Sequence, residues 1–262
     1  MNTWLVISVL FGSVFITGIM TLLFESFFSK IKQYVTTIGV SFVLSLICIH
    51  ILPELFVNNT PNLGIYLLVG FLIQIILELF SRGVEHGHVH GHEPQHSHNH
   101  KEGAEITNKV IYTLFFGLCV HAFIEGIPLF IIEDAQHHGH THIHSAQDAL
   151  SSVFFWAIVS HKIPVAIVLM LFFISAKIKK STVLVLFFTF AFMSPLGGLA
   201  GASLQDQNWF NFLSVNLLAI TSGMLLHITT LLIFEEYHNN KDKVKNIFLI
   251  IGGILLGLII FS

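Results

Sequence analysis

Eight stretches of about 20 mainly apolar residues divide this chain, and they constrain its fold more than any other feature. A helix needs about 20 such residues to cross a hydrocarbon core of about 30 Å. Short polar breaks separate the stretches, so each is expected to form one transmembrane helix. The spans fall at residues 3–24, 35–57, 63–81, 110–132, 149–174, 182–204, 210–234 and 246–261. The sequence therefore predicts an all-α integral membrane protein with eight transmembrane helices.

The composition agrees and narrows the list of partners. Hydrophobic residues make up 54% of the 262 residues and charged residues only 10%, whereas soluble domains carry about 25% charged residues. The formal net charge of −3 offers no basic surface for phosphates, so nucleic acid is excluded as a partner and membrane lipid is expected. Cys48 and Cys119 lie in apolar stretches, where a thiol behaves as a small hydrophobic group.

Basic residues predict the orientation of the helices, because cytoplasmic loops hold the positive charge. Eleven of the 12 basic residues follow the odd-numbered spans, and the loops after spans two, four and six have none. These residues are Lys30, Lys32, Arg82, Lys101, Lys109, Lys177, Lys179, Lys180, Lys241, Lys243 and Lys245. Both termini are therefore predicted to face outside.

Two loops are rich in histidine, which binds borderline transition metals through its ring nitrogens. The chain is predicted to be a single transmembrane domain over residues 1–262. It has a His-rich cytoplasmic loop at 82–109 and a His-rich extracytoplasmic loop at 133–148. One interpretation is a solvated linker in which histidine is incidental. Two tracts on opposite faces favour metal capture and release.

Ionisable residues within the spans are costly, so each is a functional candidate. His121 and Glu125 lie four residues apart, on one face of the fourth span. His161 and Lys162 lie in the fifth span, at the same expected depth of about 17 Å. A lone histidine usually packs against a carbonyl, but two histidines and a carboxylate at one depth predict a metal site. Matched motifs on helices of opposite direction also suggest an inverted repeat, with the site at the midplane.

Other polar residues are candidates for a path to and from this site. His50, Glu54, Glu133 and Asp134 lie toward the outer side and suit an entrance, although His50 and Glu54 are equally explained as interfacial residues. The exit candidates are Glu78, His227, Glu235 and Glu236; each alone could be a capping or packing residue. The segment 194–201 combines a proline helix break with small residues, and packing is its favoured explanation.

These motifs together resemble the ZIP (Zrt/Irt-like) family of metal transporters. The segment 50–54 resembles the family's second-span HLLPE, 121–126 its HNxPEG and 161–164 its [HQ]xxP. The segment 194–201 resembles SPLGxxxG, and 223–226 resembles the small-residue start of the seventh span. The order of the motifs, the eight spans and the His-rich third inner loop extend the likeness over nearly the whole chain.

The resemblance implies a ZIP-like bundle in which His121, Glu125 and His161 bind the transported ion between spans four and five. Many members hold two ions there, using an Asn, a carboxylate and a Glu. Here those positions are Ala122, Lys162 and Val165, so Lys162 is expected to replace the second ion. From the residues themselves, Lys162 is expected to pair with Glu125, or otherwise to extend toward a polar cavity.

The sequence therefore predicts a transporter of a divalent transition metal, with zinc as the first expectation, into the cytoplasm. The metal is substrate, and no cofactor is expected. Two other interpretations stay open, an intramembrane zinc-dependent hydrolase and a metal sensor or storage protein. The expected location is the plasma membrane or a bacterial inner membrane, and a homodimer is compatible with the sequence.

Overall fold

The computed structural model describes residues 3–57, 62–82, 108–129, 144–204, 208–239 and 242–261. These residues contain eight long helices and no strand, which confirms the predicted all-helical fold. The inverted repeat and the outside position of the termini stay predictions. The helices are α1 (Thr3–Leu23), α2 (Glu25–Val57), α3 (Leu63–Arg82), α4 (Asn108–Gly126), α5 (His144–Ser175), α6 (Lys180–Leu204), α7 (Asn208–Asn239) and α8 (Lys243–Phe261).

Six of these helices are long and apolar enough to cross a membrane. The exceptions are α3 and α4, whose apolar stretches with described side chains are shorter, at Leu63–Leu79 and Ile111–Gly126. Large apolar side chains lie on the outside of the bundle, and on α8 Phe248 is 70% exposed and Ile259 is 73% exposed. An extended apolar exterior of this kind is suited to lipid.

Several helices extend beyond the predicted spans. Helix α2 begins at Glu25, although its predicted span begins at residue 35, because Lys30 and Lys32 are good helix formers that an apolar criterion leaves out. Helix α5 begins at His144, so it includes residues 144–148 of the segment predicted as a loop. The rest of that His-rich loop, from 133 to 143, and residues 83–107 of the inner one lie outside the described residues.

Helix α2 contains one wide turn next to a proline. Residues Ile47–Ile51 form a π-helix, and the Leu52 N–H donates to the Ile47 carbonyl. Pro53 follows directly; it lacks an N–H, and its ring would clash with the carbonyl four residues earlier. A π-type turn accommodates this proline without ending the helix, and such turns are frequent at functional sites.

The helices pack in two groups of four. Helices α1, α4, α5 and α6 form one group, through contacts of α1 with α5 and α6 and of α4 with α6. Helices α2, α3, α7 and α8 form the other, through contacts of α2 with α7 and α8 and of α3 with α7. The groups meet where α2 packs on α5 and α3 on α4. At the α2–α5 contact a methyl group added to Gly39 would lie 3.2 Å from Pro164 Cγ.

A cluster of buried apolar residues fills the half of the bundle that is predicted to face outside. Its fully buried members include Leu46, Ile47 and Ile51 of α2 and Phe154 and Ile158 of α5. These side chains pack together in one apolar cluster, as is usual in protein interiors. The cluster includes Ile158, one turn before His161, so apolar side chains close that half of the bundle above the histidine.

Candidate metal centre

Glu125 of α4 lies at the centre of the candidate site. Its side chain is fully buried, and its Oε2 atom lies 3.1 Å from Nε2 of His121 and 3.1 Å from Nε2 of His161. His121 precedes Glu125 by one turn of α4, so the helix itself places both on one face. Helix α5 supplies His161. One ligand atom from each of the three residues can therefore be chosen so that all lie within 4.8 Å of one another.

The ring of His161 is oriented by its own helix. Its Nδ1 lies 3.0 Å from the carbonyl oxygen of Ala157, and since a carbonyl can only accept, Nδ1 donates its hydrogen there. This bond fixes the tautomer, leaving the Nε2 lone pair directed at the site, as is usual for a metal-binding histidine.

The ring of His121 differs from that of His161, because neither of its nitrogens has a hydrogen-bond partner among the described residues. The same is true of Glu125 Oε2, whose contacts with the two imidazoles lack hydrogen-bond geometry. Buried polar atoms are nearly always hydrogen-bonded. Of these atoms, Nε2 of His121 and Oε2 of Glu125 lie 3.1 Å apart, and a cation between them would satisfy both.

The other oxygen of Glu125 faces a different set of groups. Oε1 forms an ion pair with Nζ of Lys162, and the Ser194 hydroxyl of α6 lies 3.2 Å from it. Lys162 is 3% exposed, and its Nζ lies 5.5 Å from the centre of the Phe190 ring. One carboxylate is therefore shared between two imidazoles on one oxygen and an ammonium group and a hydroxyl on the other.

Sequence reasoning missed the contact of Ser194 with this site. Its hydroxyl hydrogen is shared between the Ala122 carbonyl, 2.7 Å away, and Glu125 Oε1, 3.2 Å away. Helix α6 approaches α4 closely because Gly126 and Gly197 lack side chains. A methyl group on Gly126 would overlap the Ser194 carbonyl, and one on Gly197 would overlap the Phe123 carbonyl. The small residues thus pack as predicted, but α6 continues through Pro195 without the expected break. Only the depth of Ser194, similar to that of Glu125, could have indicated its contact.

The two other second-site positions carry no ligand. Ala122 is fully buried, and Val165 is an apolar residue beside His121 in the wall of a cavity. Neither can replace the Asn and Glu that a second ion would need. The donor set contributed by these helices is two imidazoles and one carboxylate oxygen, which suits a borderline transition metal.

Comparison with known families decides the class of this protein. The family model described as "ZIP Zinc transporter" matches residues 81–262. The chain belongs to the ZIP family. The resemblance inferred from the motifs is thus confirmed. The matched residues include His121, Glu125, His161 and Ser194, and the match begins after the motif at 50–54. Comparison with curated proteins gives no match.

Membership of the ZIP family has two direct consequences. ZIP proteins transport divalent metal ions and are not enzymes. With its apolar helices, this chain is an integral, multi-pass membrane protein.

A cavity of about 190 Å³ leads away from the candidate site of this ZIP protein. His121, Pro164 and Val165 line one part of it, and Glu78 of α3 and Glu235 of α7 line another. Both carboxylates lie in the last two turns of their helices or close to them, in the half predicted to face the cytoplasm. The cavity therefore joins His121 to the predicted inner side.

Two further exit candidates lie on α7. His227 Nε2 is 3.6 Å from Glu78 Oε2, with 12% and 14% of the two side chains exposed. Glu236 lies in the same helix, but its side chain is outside the described part of the chain. Three of the four exit candidates, Glu78, His227 and Glu235, are thus grouped on α3 and α7.

Two of the entrance candidates, His50 and Glu54, lie near the end of α2. His50 is half-buried in the π-helical turn, with its ring 6.0 Å from that of Phe261. Glu54 is half-buried one turn further along α2. The apolar cluster of α2 and α5 lies between this end of α2 and His161. Glu133 and Asp134 lie outside the described residues.

Proposed function

We propose that this ZIP protein carries a divalent transition metal ion, with zinc as the first candidate, from the outside into the cytoplasm. The ion would bind at His121, Glu125 and His161. The observation that carries this proposal is the convergence of these side chains at the end of a cavity that continues to Glu78 and Glu235. The buried ring nitrogens of His121 make no hydrogen bond with the residues that the structure describes.

The spacing of the ligand atoms supports a small transition metal. Zinc binds imidazole nitrogen at about 2.0–2.1 Å, which places neighbouring ligands of a tetrahedral site about 3.4 Å apart. Each Nε2 lies 3.1 Å from Glu125 Oε2. A small movement of these side chains would therefore give the spacing that the ion requires. Water from the cavity can supply the fourth ligand, because His121 lies in the cavity wall.

The position of the cavity supports release toward the cytoplasm. The apolar cluster closes the half that carries His50 and Glu54, and the cavity opens the half that carries Glu78 and Glu235. This arrangement is the one expected for a transporter in an inward-facing conformation. Alternating access requires the helix groups to move relative to one another, and the α2–α5 contact at Gly39 and Pro164 lies at their boundary.

Lys162 supports transport of one ion at a time. Its ammonium group is paired with Glu125, so it neutralises a carboxylate that would otherwise be buried without a partner. Together with Ala122 and Val165 it leaves only three protein ligands. An ion held by one carboxylate oxygen and two imidazoles is bound less tightly than one bridged to a second metal, which favours release.

The remaining parts of the proposal concern the surroundings of the site. A single transporter domain would span residues 1–262, with both termini outside in a plasma membrane or bacterial inner membrane. Residues 133–148 and the entrance candidates His50, Glu54, Glu133 and Asp134 would collect the ion. Glu78, His227, Glu235 and Glu236 would pass it to the cytoplasmic loop at 82–109. A homodimer is compatible with this arrangement.

Uptake by proteoliposomes tests the proposal. The purified full chain would be reconstituted and supplied with Zn²⁺, Cd²⁺, Fe²⁺ or Mn²⁺, and accumulation would be followed with a fluorescent probe or a radioactive isotope. We expect accumulation of at least one of these ions above that of protein-free vesicles. Binding without accumulation would instead indicate a sensor or storage protein, and metal-dependent hydrolysis without accumulation would indicate an enzyme.

A further inference from the structure

A second group of side chains with metal-binding atoms lies on the other group of helices. Gln74 and Glu78 line the cavity below His121, and His227 lies beside Glu78. Glu78 and His227 lie on α3 and α7, 3.6 Å apart at Oε2 and Nε2. His121 and Glu125, by contrast, lie on α4, and His161 lies on α5. An ion that passed from the midplane residues to Glu78 would therefore move from one helix group to the other.

Small residues bring α3 and α7 close enough for this pairing. A methyl group on Gly70 would overlap the Ile220 carbonyl, and one on Gly223 would overlap the Leu67 carbonyl. His227 follows Gly223 by one turn of α7, so its ring packs against α3. Its centre lies 4.7 Å from the centre of the Phe71 ring at an interplanar angle of 82°, which fixes the imidazole beside Glu78.

Gln74 provides a third and independent observation. It precedes Glu78 by one turn of α3, so both side chains lie on one face. Gln74 is only 6% exposed, lines the same cavity, and its Oε1 has no hydrogen-bond partner among the described residues. An unsatisfied buried carbonyl oxygen next to a cavity is costly, and a hydrated cation or an ion ligated by Glu78 would satisfy it.

We propose that Gln74, Glu78 and His227 form a transit site that holds the divalent ion after it leaves His121, Glu125 and His161. This proposal rests on the proposed transport function. The ligand set is an amide oxygen, a carboxylate and an imidazole, which suits the same borderline metals as the midplane site. The 3.6 Å separation is close to the ligand spacing of a tetrahedral ion, about 3.4 Å.

Anomalous scattering from Cd²⁺ in crystals of the full chain locates both sites separately. At a concentration that fills the midplane site, we expect a second peak within coordination distance of Glu78 and His227. Glu78→Gln should lose the second peak and keep the first. His161→Ala should lose the first peak and keep the second. Thr36→Val is the matched control, because Thr36 is another polar residue in the cavity wall, and it should keep both peaks.

Uptake kinetics supply a second measurement with a milder variant. His227→Phe preserves the aromatic contact with Phe71 and removes the nitrogen ligand. It should lower the maximal rate of Cd²⁺ uptake several-fold while the apparent KM stays unchanged, because release and not capture is affected. A midplane peak without a second peak, or uptake by His227→Phe equal to wild type, would overturn the transit site alone. Absence of the midplane peak as well would overturn the proposed function.

Discussion

Lys162 and Glu125 form a buried ion pair between α5 and α4, on the carboxylate oxygen that does not face the histidines. The ammonium group and a metal ion would both be attracted to this carboxylate and would repel one another. Two unit charges 4 Å apart interact by about 4 kcal/mol at an effective dielectric constant of about 20. We therefore expect Lys162 to lower the affinity of the proposed site for a divalent ion.

Replacing Lys162 by Met should tighten metal binding. The variant removes the competing cation and leaves Glu125 to be neutralised by the metal, so we expect the apparent KM for Zn²⁺ uptake to fall by about tenfold, equivalent to about 1.4 kcal/mol. The metal-free variant should unfold at lower temperature, because breaking a buried pair costs about 3–5 kcal/mol. Exposed Lys245→Met is the control, and an unchanged KM in Lys162→Met would contradict the competition.

Removing the Ser194 hydroxyl should weaken binding without abolishing it. Ser194→Ala loses a hydrogen bond worth about 1 kcal/mol, so Glu125 is less well held and the apparent dissociation constant for Zn²⁺ should rise about fivefold. Ser203→Ala is the matched control, since Ser203 lies on the same helix and its hydroxyl bonds only to the Ala200 carbonyl within it. Equal affinities for the two variants would show that Ser194 does not position Glu125.

Enlarging Gly197 should separate α6 from α4. A methyl group there overlaps the Phe123 carbonyl, and forcing extra volume into a packed contact costs about 1–3 kcal/mol. We expect Gly197→Ala to lower the unfolding temperature in detergent and to reduce uptake. Gly252→Ala adds the same group where nothing lies within 4 Å. If both variants unfolded at the wild-type temperature, the close contact of α6 with α4 at Gly197 would not contribute to stability.

Deleting residues 86–100 distinguishes a transporter from a loop-based sensor. The deletion removes the His-rich part of the inner loop and leaves His121, Glu125 and His161 in place. Uptake of Zn²⁺ should therefore be retained, with at most a change in rate. Uptake and the amount of zinc bound per protein would both be measured. Loss of both uptake and midplane zinc binding would favour the sensor.

The helices and the three central residues could be predicted from sequence because their signals are local. Apolar length gives the spans, and the four-residue interval of His121 and Glu125 places them on one face of a helix whatever surrounds it. His161 was identified by its expected depth, which depends only on counting residues from the ends of the spans.

Contacts that depend on how helices cross could not be predicted. The approach of Ser194 to Glu125 requires α6 to lie against α4 at Gly126 and Gly197, and no interval in the sequence encodes that crossing. The pairing of His227 with Glu78 likewise depends on the close approach of α3 and α7. The two prolines Pro53 and Pro195 are also accommodated differently, the first next to the wide turn at Ile47–Ile51 and the second within a continuous helix.

The most direct test of the account is zinc uptake by proteoliposomes containing His161→Ala. His161 contributes Nε2 to the proposed site from α5. Ser160→Ala alters the preceding residue, whose hydroxyl donates to the Trp156 carbonyl of its own helix. We predict that His161→Ala reduces uptake to that of protein-free vesicles, while Ser160→Ala transports at the wild-type rate. Equal uptake by the two variants would contradict a transport site formed by His121, Glu125 and His161.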